Sequence, residues 1–134
     1  MNLAIKIIAG IVIVYVLIVV AFESLLGYYQ PQNEGTIVIT TTQDDGSRHS
    51  RVVSRLESGG NLYVAANHWP RMWYYDALEN PELVVEMDGE TGEYLAVPVE
   101  GAEHDRVNAD KPLPLFFRFL TGFPPRYFVR LDPQ

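Results

Sequence analysis

The chain contains no cysteine. Disulfides, thiolate zinc sites, cysteine-ligated iron–sulfur clusters and cysteine nucleophiles are therefore all excluded. Histidine is sparse: His49, His68 and His104 lie far apart and have no carboxylate at ligand spacing, so a metal site is not expected. Basic clusters are missing as well. The net charge is −7, and beyond Lys6 the only lysine is Lys111. Such a chain lacks the electrostatic footprint of a DNA- or RNA-binding protein, and charge alone would not hold it on an anionic lipid surface. Also absent are a Walker loop, a Rossmann glycine set, a G-x-S-x-G elbow and an HExxH helix. Paired acids such as Asp44-Asp45 fall in turns, where a solvated role accounts for them. The remaining cations are arginines, whose planar fork suits phosphate or carboxylate.

The most pronounced feature present is an apolar run from Ile7 to Phe22, IIAGIVIVYVLIVVAF, entered by Lys6 and closed by Glu23. With its flanks it reaches the roughly 20 residues that a bilayer-spanning helix needs. Residues 1–27 therefore read as a single-pass membrane anchor, with Tyr15 in mid-span and Tyr28 and Tyr29 at the expected interface. Two other readings compete. A cleavable signal peptide would use Val19-Val20-Ala21 as a small-residue cleavage site. A buried soluble helix is disfavoured, because no polar face appears through four turns. Lys6 and the amino terminus before the span, against Glu23 after it, favour an amino terminus in the cytoplasm and the domain outside, whereas a helix that only dips into the inner leaflet would leave the domain cytoplasmic.

After a polar linker, residues 28–35, the pattern turns to short strands. Thr36–Thr42 is β-branched throughout, and Asp44-Asp45-Gly46 is a turn signal. Arg48–Leu56 reads as a second strand and Leu62–Ala66 as a third, with Ser58–Asn61 turning between them. Pro70 makes Asn67–Arg71 irregular. A short helix is expected over Met72–Leu78, halted by Asn80-Pro81. Glu82–Met87 and Glu93–Glu100 pair as a hairpin around Asp88–Gly92, Glu103–Asp110 forms a helical turn, and Arg126–Leu131 is a closing strand. The segment LPLFFRFLTGF within Pro112–Pro125 carries no element assignment. Five or six strands with a helix after the third predict a mostly β domain over residues 36–134, a small antiparallel barrel with one or two short helices.

The stretch Gly59–Pro81, GGNLYVAANHWPRMWYYDALENP, resembles the split-barrel flavin and deazaflavin oxidoreductases, most closely the deazaflavin-dependent nitroreductase/quinone reductase family. The shared features are a Gly turn leading into a strand near V-A-S, an irregular loop, and a helix of the type W-Y-x-N-L-x-A-N-P. Trp73 to Pro81 stands in the same register, and Thr40–Thr42 with Arg48 and Arg51 fits the family's T-T-T…R region. The resemblance covers about residues 36–100 and implies a split β-barrel that binds a deazaflavin (coenzyme F-420) or FMN. It implies phosphate partners in Arg48, Arg51 and Arg71, backbone groups for the ring from Ala66 and Asn67, and an aromatic wall from Trp69, Trp73 and Tyr74. The implied reaction is hydride transfer to a quinone, nitro compound or other lipophilic acceptor, and a homodimer is implied by the same relatives. Without the resemblance, Trp73 and Tyr74 read more readily as core packing than as a cofactor wall.

This sequence departs from the family at four places. Gln43-Asp44-Asp45-Gly46 stands where a basic, Gly-containing phosphate loop is expected. Val52 replaces a proline, Asp76 replaces the helix asparagine, and the loop before Trp73 is short. The expectation is that the barrel carries over better than the cofactor. The rival reading is a non-catalytic, membrane-anchored binding or accessory domain.

Overall fold

The computed structural model describes residues 2–28, 35–66 and 72–134. These divide into two compact units, one holding the N-terminal helix with Leu113–Pro124 and the other holding the remaining residues.

The first unit contains α1 (Leu3–Tyr28) and a six-residue helix, α4 (Leu115–Leu120). Helix α1 is long and apolar enough to cross a membrane over Leu3–Leu25, 23 residues of mean hydropathy 3.0. Only 6% of its apolar 18-residue window is buried within this chain. Tyr15 stacks on Phe119 with centroids 4.9 Å apart, and Phe22 meets Phe117 edge-on at 5.7 Å.

The second unit is one curled antiparallel sheet of seven strands: β1 (Thr36–Thr42), β2 (Arg48–Ser54), β3 (Leu56–Ser58), β4 (Asn61–Ala66), β5 (Glu82–Met87), β6 (Glu90–Pro98) and β7 (Tyr127–Pro133). Their order across the sheet is β2-β1-β5-β6-β7-β4-β3. The two edge strands, β2 and β3, are separated by Arg55 alone. A flat sheet cannot place consecutive residues on opposite edges, so this topology forces the sheet to curl towards a barrel. Arg55 fixes the seam: its guanidinium donates to both carboxylate oxygens of Asp88, at 3.1 and 3.0 Å, and to Glu57. These partners hold the Arg55 pKa above its ordinary value, the Glu57 hydrogen bond contributing most.

Strand alternation sorts the two faces. Ile37, Ile39, Leu62, Val64, Leu83, Val85, Ala96, Val129 and Leu131 fill the inner face. Helix α2 (Met72–Glu79) lies on that face through Trp73, Asp76 and Ala77, an i, i+3, i+4 stripe. It stops where Pro81 disfavours helical backbone at Asn80. The outer face carries a smaller core of Tyr63, Val99, Val107 and Phe128, where α3 (Gly101–Asp110) packs.

Several elements differ from the sequence reading. The expected second strand is two strands, because its run crosses the seam at Arg55. Strand β6 begins at Glu90 and the turn shrinks to Asp88-Gly89, whose φ values of 54° and 79° supply the two left-handed positions a two-residue hairpin requires. Helix α3 starts at Gly101, and α4 occupies the segment left without an assignment.

Candidate functional site

Of the residues implied by the resemblance, Ala66, Trp73 and Tyr74 lie together at one end of the sheet. Ala66 is the last residue of β4, buried and in register with Tyr127 of β7. Above that pair, Tyr74 of α2 lies 5.9 Å from the Tyr127 ring, 5.6 Å from Tyr75 and 6.0 Å from Trp73. All three separations fall in the range that aromatic pairs prefer. Trp73 is only 5% exposed and belongs to the inner core, whereas Tyr74 is half-buried and Tyr75 and Tyr127 are exposed. The surface open to a planar ligand is therefore a shelf of three tyrosines backed by the tryptophan. Burial, reinforced by Tyr127, Tyr75 and Glu100, pushes the Tyr74 hydroxyl above its ordinary pKa. It stays protonated at neutral pH and can donate a hydrogen bond or a proton.

The arginines are not gathered in this way. Arg48 and Arg51 are three residues apart on β2, so their side chains leave opposite faces of the sheet. Arg51 is half-buried and pairs in register with Ile39, on the inner face. Arg48 is exposed on the outer face and lines a cleft of about 250 Å³ together with Glu82 and Glu93. Asn67, Trp69 and Arg71 lie outside the described residues.

The acidic turn is well ordered by its own hydrogen bonds. Asp45 accepts from the Ser47 hydroxyl at 2.6 Å and the Ser47 backbone N–H at 2.9 Å. These bonds, the hydroxyl first, hold its carboxyl below the usual range and therefore ionised. Asp44 accepts from Asn80 Nδ2 at 3.1 Å, tying the turn to the end of α2.

A second polar cluster escaped the sequence reading. On the outer face, Glu103 of α3 accepts from the Tyr63 hydroxyl at 2.7 Å and from Arg130 Nη1 at 3.0 and 3.1 Å. Arg106 reaches Ser58 and the Tyr63 oxygen, and Arg130 also grips Asp132. The Tyr63 bond, then Arg130, lowers the Glu103 pKa. Four separate elements supply these groups, so no local motif announces them. The i, i+3, i+4 spacing of Glu103, Arg106 and Val107 was the one available signal. The cluster satisfies itself and clamps α3 to the sheet. Beside it, at the opposite end of β4 from the tyrosines, a cleft of about 550 Å³ is lined by Glu57, Asp110, Met87, Tyr94 and the Gly59-Gly60 turn. Its two carboxylates make it a poor host for phosphate.

A flavin-type group can be tested against these residues. The tyrosines offer apolar surface to a ring, but Tyr75 stands at 73° and Tyr127 at 38° to the Tyr74 ring, so they form a corner rather than a flat face. The phosphate does not find a matching cradle among the described residues, where the two β2 arginines diverge and an ionised turn sits nearby. Nor does any buried side-chain nitrogen or oxygen among them lack a partner. No group of three His, Asp or Glu side chains among the described residues is placed to hold a metal ion.

Known structures agree with this architecture. An F420-H2 dependent reductase (FDR-A) superposes with a TM-score of 0.58 at 20% identity, covering 75% of this chain and 98% of its own. The fold is a split β-barrel. A chain described as a domain-swapped dimer matches with a TM-score of 0.58 at 20% identity, covering 73% of this chain and 81% of that one. The heme storage protein HutZ of Vibrio cholerae gives 0.55 at 15% identity, covering 77% and 84%. No protein-family model matches the chain, and no curated protein matches it in sequence. At these identities the similarity establishes the fold.

Proposed function

We propose that this chain is a membrane-anchored split-barrel oxidoreductase that passes a hydride from a reduced deazaflavin or flavin to a quinone, nitro compound or similar lipophilic acceptor. The observation that carries the proposal is the tyrosine shelf of Tyr74, Tyr75 and Tyr127 beside Ala66, on a barrel shared with an F420-H2 dependent reductase. In this reading the tyrosines supply an apolar wall for the ring. The cofactor, when bound, supplies the hydride chemistry. The chain's own part is to orient the ring, keep water from it and offer the Tyr74 proton. Arg51, on the same sheet face as the inner core, is the favoured phosphate partner of the two described arginines. The apolar Leu3–Leu25 helix is read as a single membrane span, which would hold the barrel where lipophilic acceptors dissolve. Lys6 before the span favours an amino terminus in the cytoplasm. The residues fall, in this reading, into an anchor over 1–27, a linker over 28–35 and a barrel domain over 36–134. The related domain-swapped dimer supports a homodimer.

One observation favours a second reading. The Asp44-Asp45 turn, with its ionised Asp45, and the divergent arginines suit a non-catalytic binding domain that keeps the barrel without the phosphate. Titration of the detergent-solubilised chain with FMN and with reduced coenzyme F-420 separates the two. Binding of either cofactor at micromolar concentration supports the oxidoreductase, and absence of both leaves the binding domain.

A further inference from the structure

The segment between α3 and β7 has a surface unsuited to water. Of the side chains in LPLFFRFLTGFP, Leu115 is 70% and Phe116 72% exposed, and Phe119 and Phe123 are exposed as well. Four large apolar groups in so short a stretch make a contiguous patch of the kind that marks an interaction surface. Its neighbour is the apolar helix α1, whose own outward side chains are equally bare.

The polar groups of the segment are arranged as hydrocarbon would demand. Pro112, Pro114, Pro124 and Pro125 have no backbone N–H to satisfy. The carbonyl of Phe117 accepts from the Thr121 N–H and hydroxyl, and that of Arg118 accepts from the Phe123 N–H and the same hydroxyl. Phe119 offers its carbonyl to the Gly122 N–H and to the hydroxyl of Tyr15, at 2.8 Å. The last contact is reciprocal. A tyrosine in mid-helix carries a hydroxyl that lipid cannot satisfy, and a short helix ends on carbonyls that need donors. Twelve residues separate Tyr15 from Leu3 and ten from Leu25, so it lies near the centre of the apolar stretch. Its contact and that of Phe22 bracket about 10 Å of the α1 axis at 1.5 Å per residue. Arg118, the one charge, lies 5.7 Å from the Phe123 ring centroid and is exposed. Its long stem lets the charge move toward the nearer membrane surface.

We propose that residues Leu113–Pro124 form a re-entrant wedge that enters the bilayer beside α1, with the acyl chains as its partner. The wedge rests on the reading of α1 as a membrane span. It also gives α1 a partner to hold, which a cleaved leader would not have.

The natural absence of cysteine makes the test direct. Full-length single-cysteine variants Phe116→Cys and Phe123→Cys carry an environment-sensitive dye in phosphatidylcholine vesicles, with Ile13→Cys in α1 and Glu79→Cys on the barrel as references. Dye at 116 and 123 is expected to shift to the blue, to be quenched by nitroxides on the acyl chains and to be shielded from iodide, as at position 13. Position 79 is expected to do the reverse. Tyr15→Phe is expected to weaken acyl-chain quenching at 116 and 123 while leaving position 13 unchanged. Iodide quenching at 116 and 123 with lipid quenching at 13 would overturn the wedge and leave the anchor standing. Iodide quenching at position 13 would remove both.

Discussion

The fully buried Tyr63 donates its hydroxyl to Glu103 Oε2 at 2.7 Å, joining the interior of the sheet to α3. Tyr63→Phe removes that bond and leaves Glu103 with Arg130. The variant is expected to lose about 1 kcal/mol in urea unfolding. An equal midpoint in wild type and variant would show that the bond contributes nothing net.

The same carboxylate sets a pH dependence. Its folded pKa lies below the ordinary 4.5, so the native state favours the ionised form. The stabilisation is fully present above that ordinary value and is lost as pH falls through the lower, folded value. Glu103→Gln is expected to be less stable than wild type near neutrality, with the gap closing in acid. Thermal midpoints measured across the carboxylate range test it; a gap that does not change with pH sinks the assignment.

Two adjacent glycines separate backbone strain from crowding. Gly59 (φ +59°) and Gly60 (φ +81°) both take left-handed backbone, yet a Cβ on Gly59 would sit 2.5 Å from Arg106 Nη1 whereas one on Gly60 meets nothing within 4 Å. Gly60→Ala is expected to cost about 1 kcal/mol. Gly59→Ala should cost more, and Arg106→Ala in that background should remove the excess coupling. A double-mutant cycle by urea unfolding reads the difference.

On the proposed oxidoreductase reading, the divergence of Arg48 and Arg51 predicts unequal roles in cofactor binding. Arg51→Ala is expected to weaken FMN or F-420 binding about tenfold or more, by loss of a charge-assisted phosphate contact. Arg48→Ala should leave binding nearly unchanged. Equal losses in both variants, read by fluorescence titration, would contradict placement of the phosphate on the inner face.

Arg55 is expected to matter for closure of the barrel. Arg55→Lys keeps the charge and gives up the fork that holds Asp88 through Nη1 and Glu57 through Nε and Nη2. It should lower the thermal midpoint and speed hydrogen exchange at the β2–β3 seam, with Arg55→Ala lowering it further. Unchanged exchange in both would dismiss the seam role.

Much of the barrel was legible in the residues. The β-branched run Thr36–Thr42 became β1 without change, and Met72–Leu78 became α2 because Trp73, Asp76 and Ala77 share one helical face and Asn80-Pro81 ends it. Asp88-Gly89 announced the hairpin. The break at Arg55 was not legible: it arises from the curl of the whole sheet, and Ser-Arg-Leu carries no local signal for it. LFFRFL reads as strand or helix with equal ease, and its partner in α1 lies about a hundred residues away. Of the site, Tyr74 was found from the helix motif. Tyr127 was not, because its place beside Tyr74 depends on the register of β7 against β4.

That register has a consequence for how the molecule is made. Among the described residues, strand β7, Tyr127–Pro133, is the sole strand linking the β2-β1-β5-β6 and β4-β3 parts of the sheet. During synthesis the chain emerges amino end first, so α1 leaves the ribosome when six of the seven strands still lack the one that joins them. The greasy helix must be received by a membrane or a chaperone long before the barrel exists, and closure waits for the final strand.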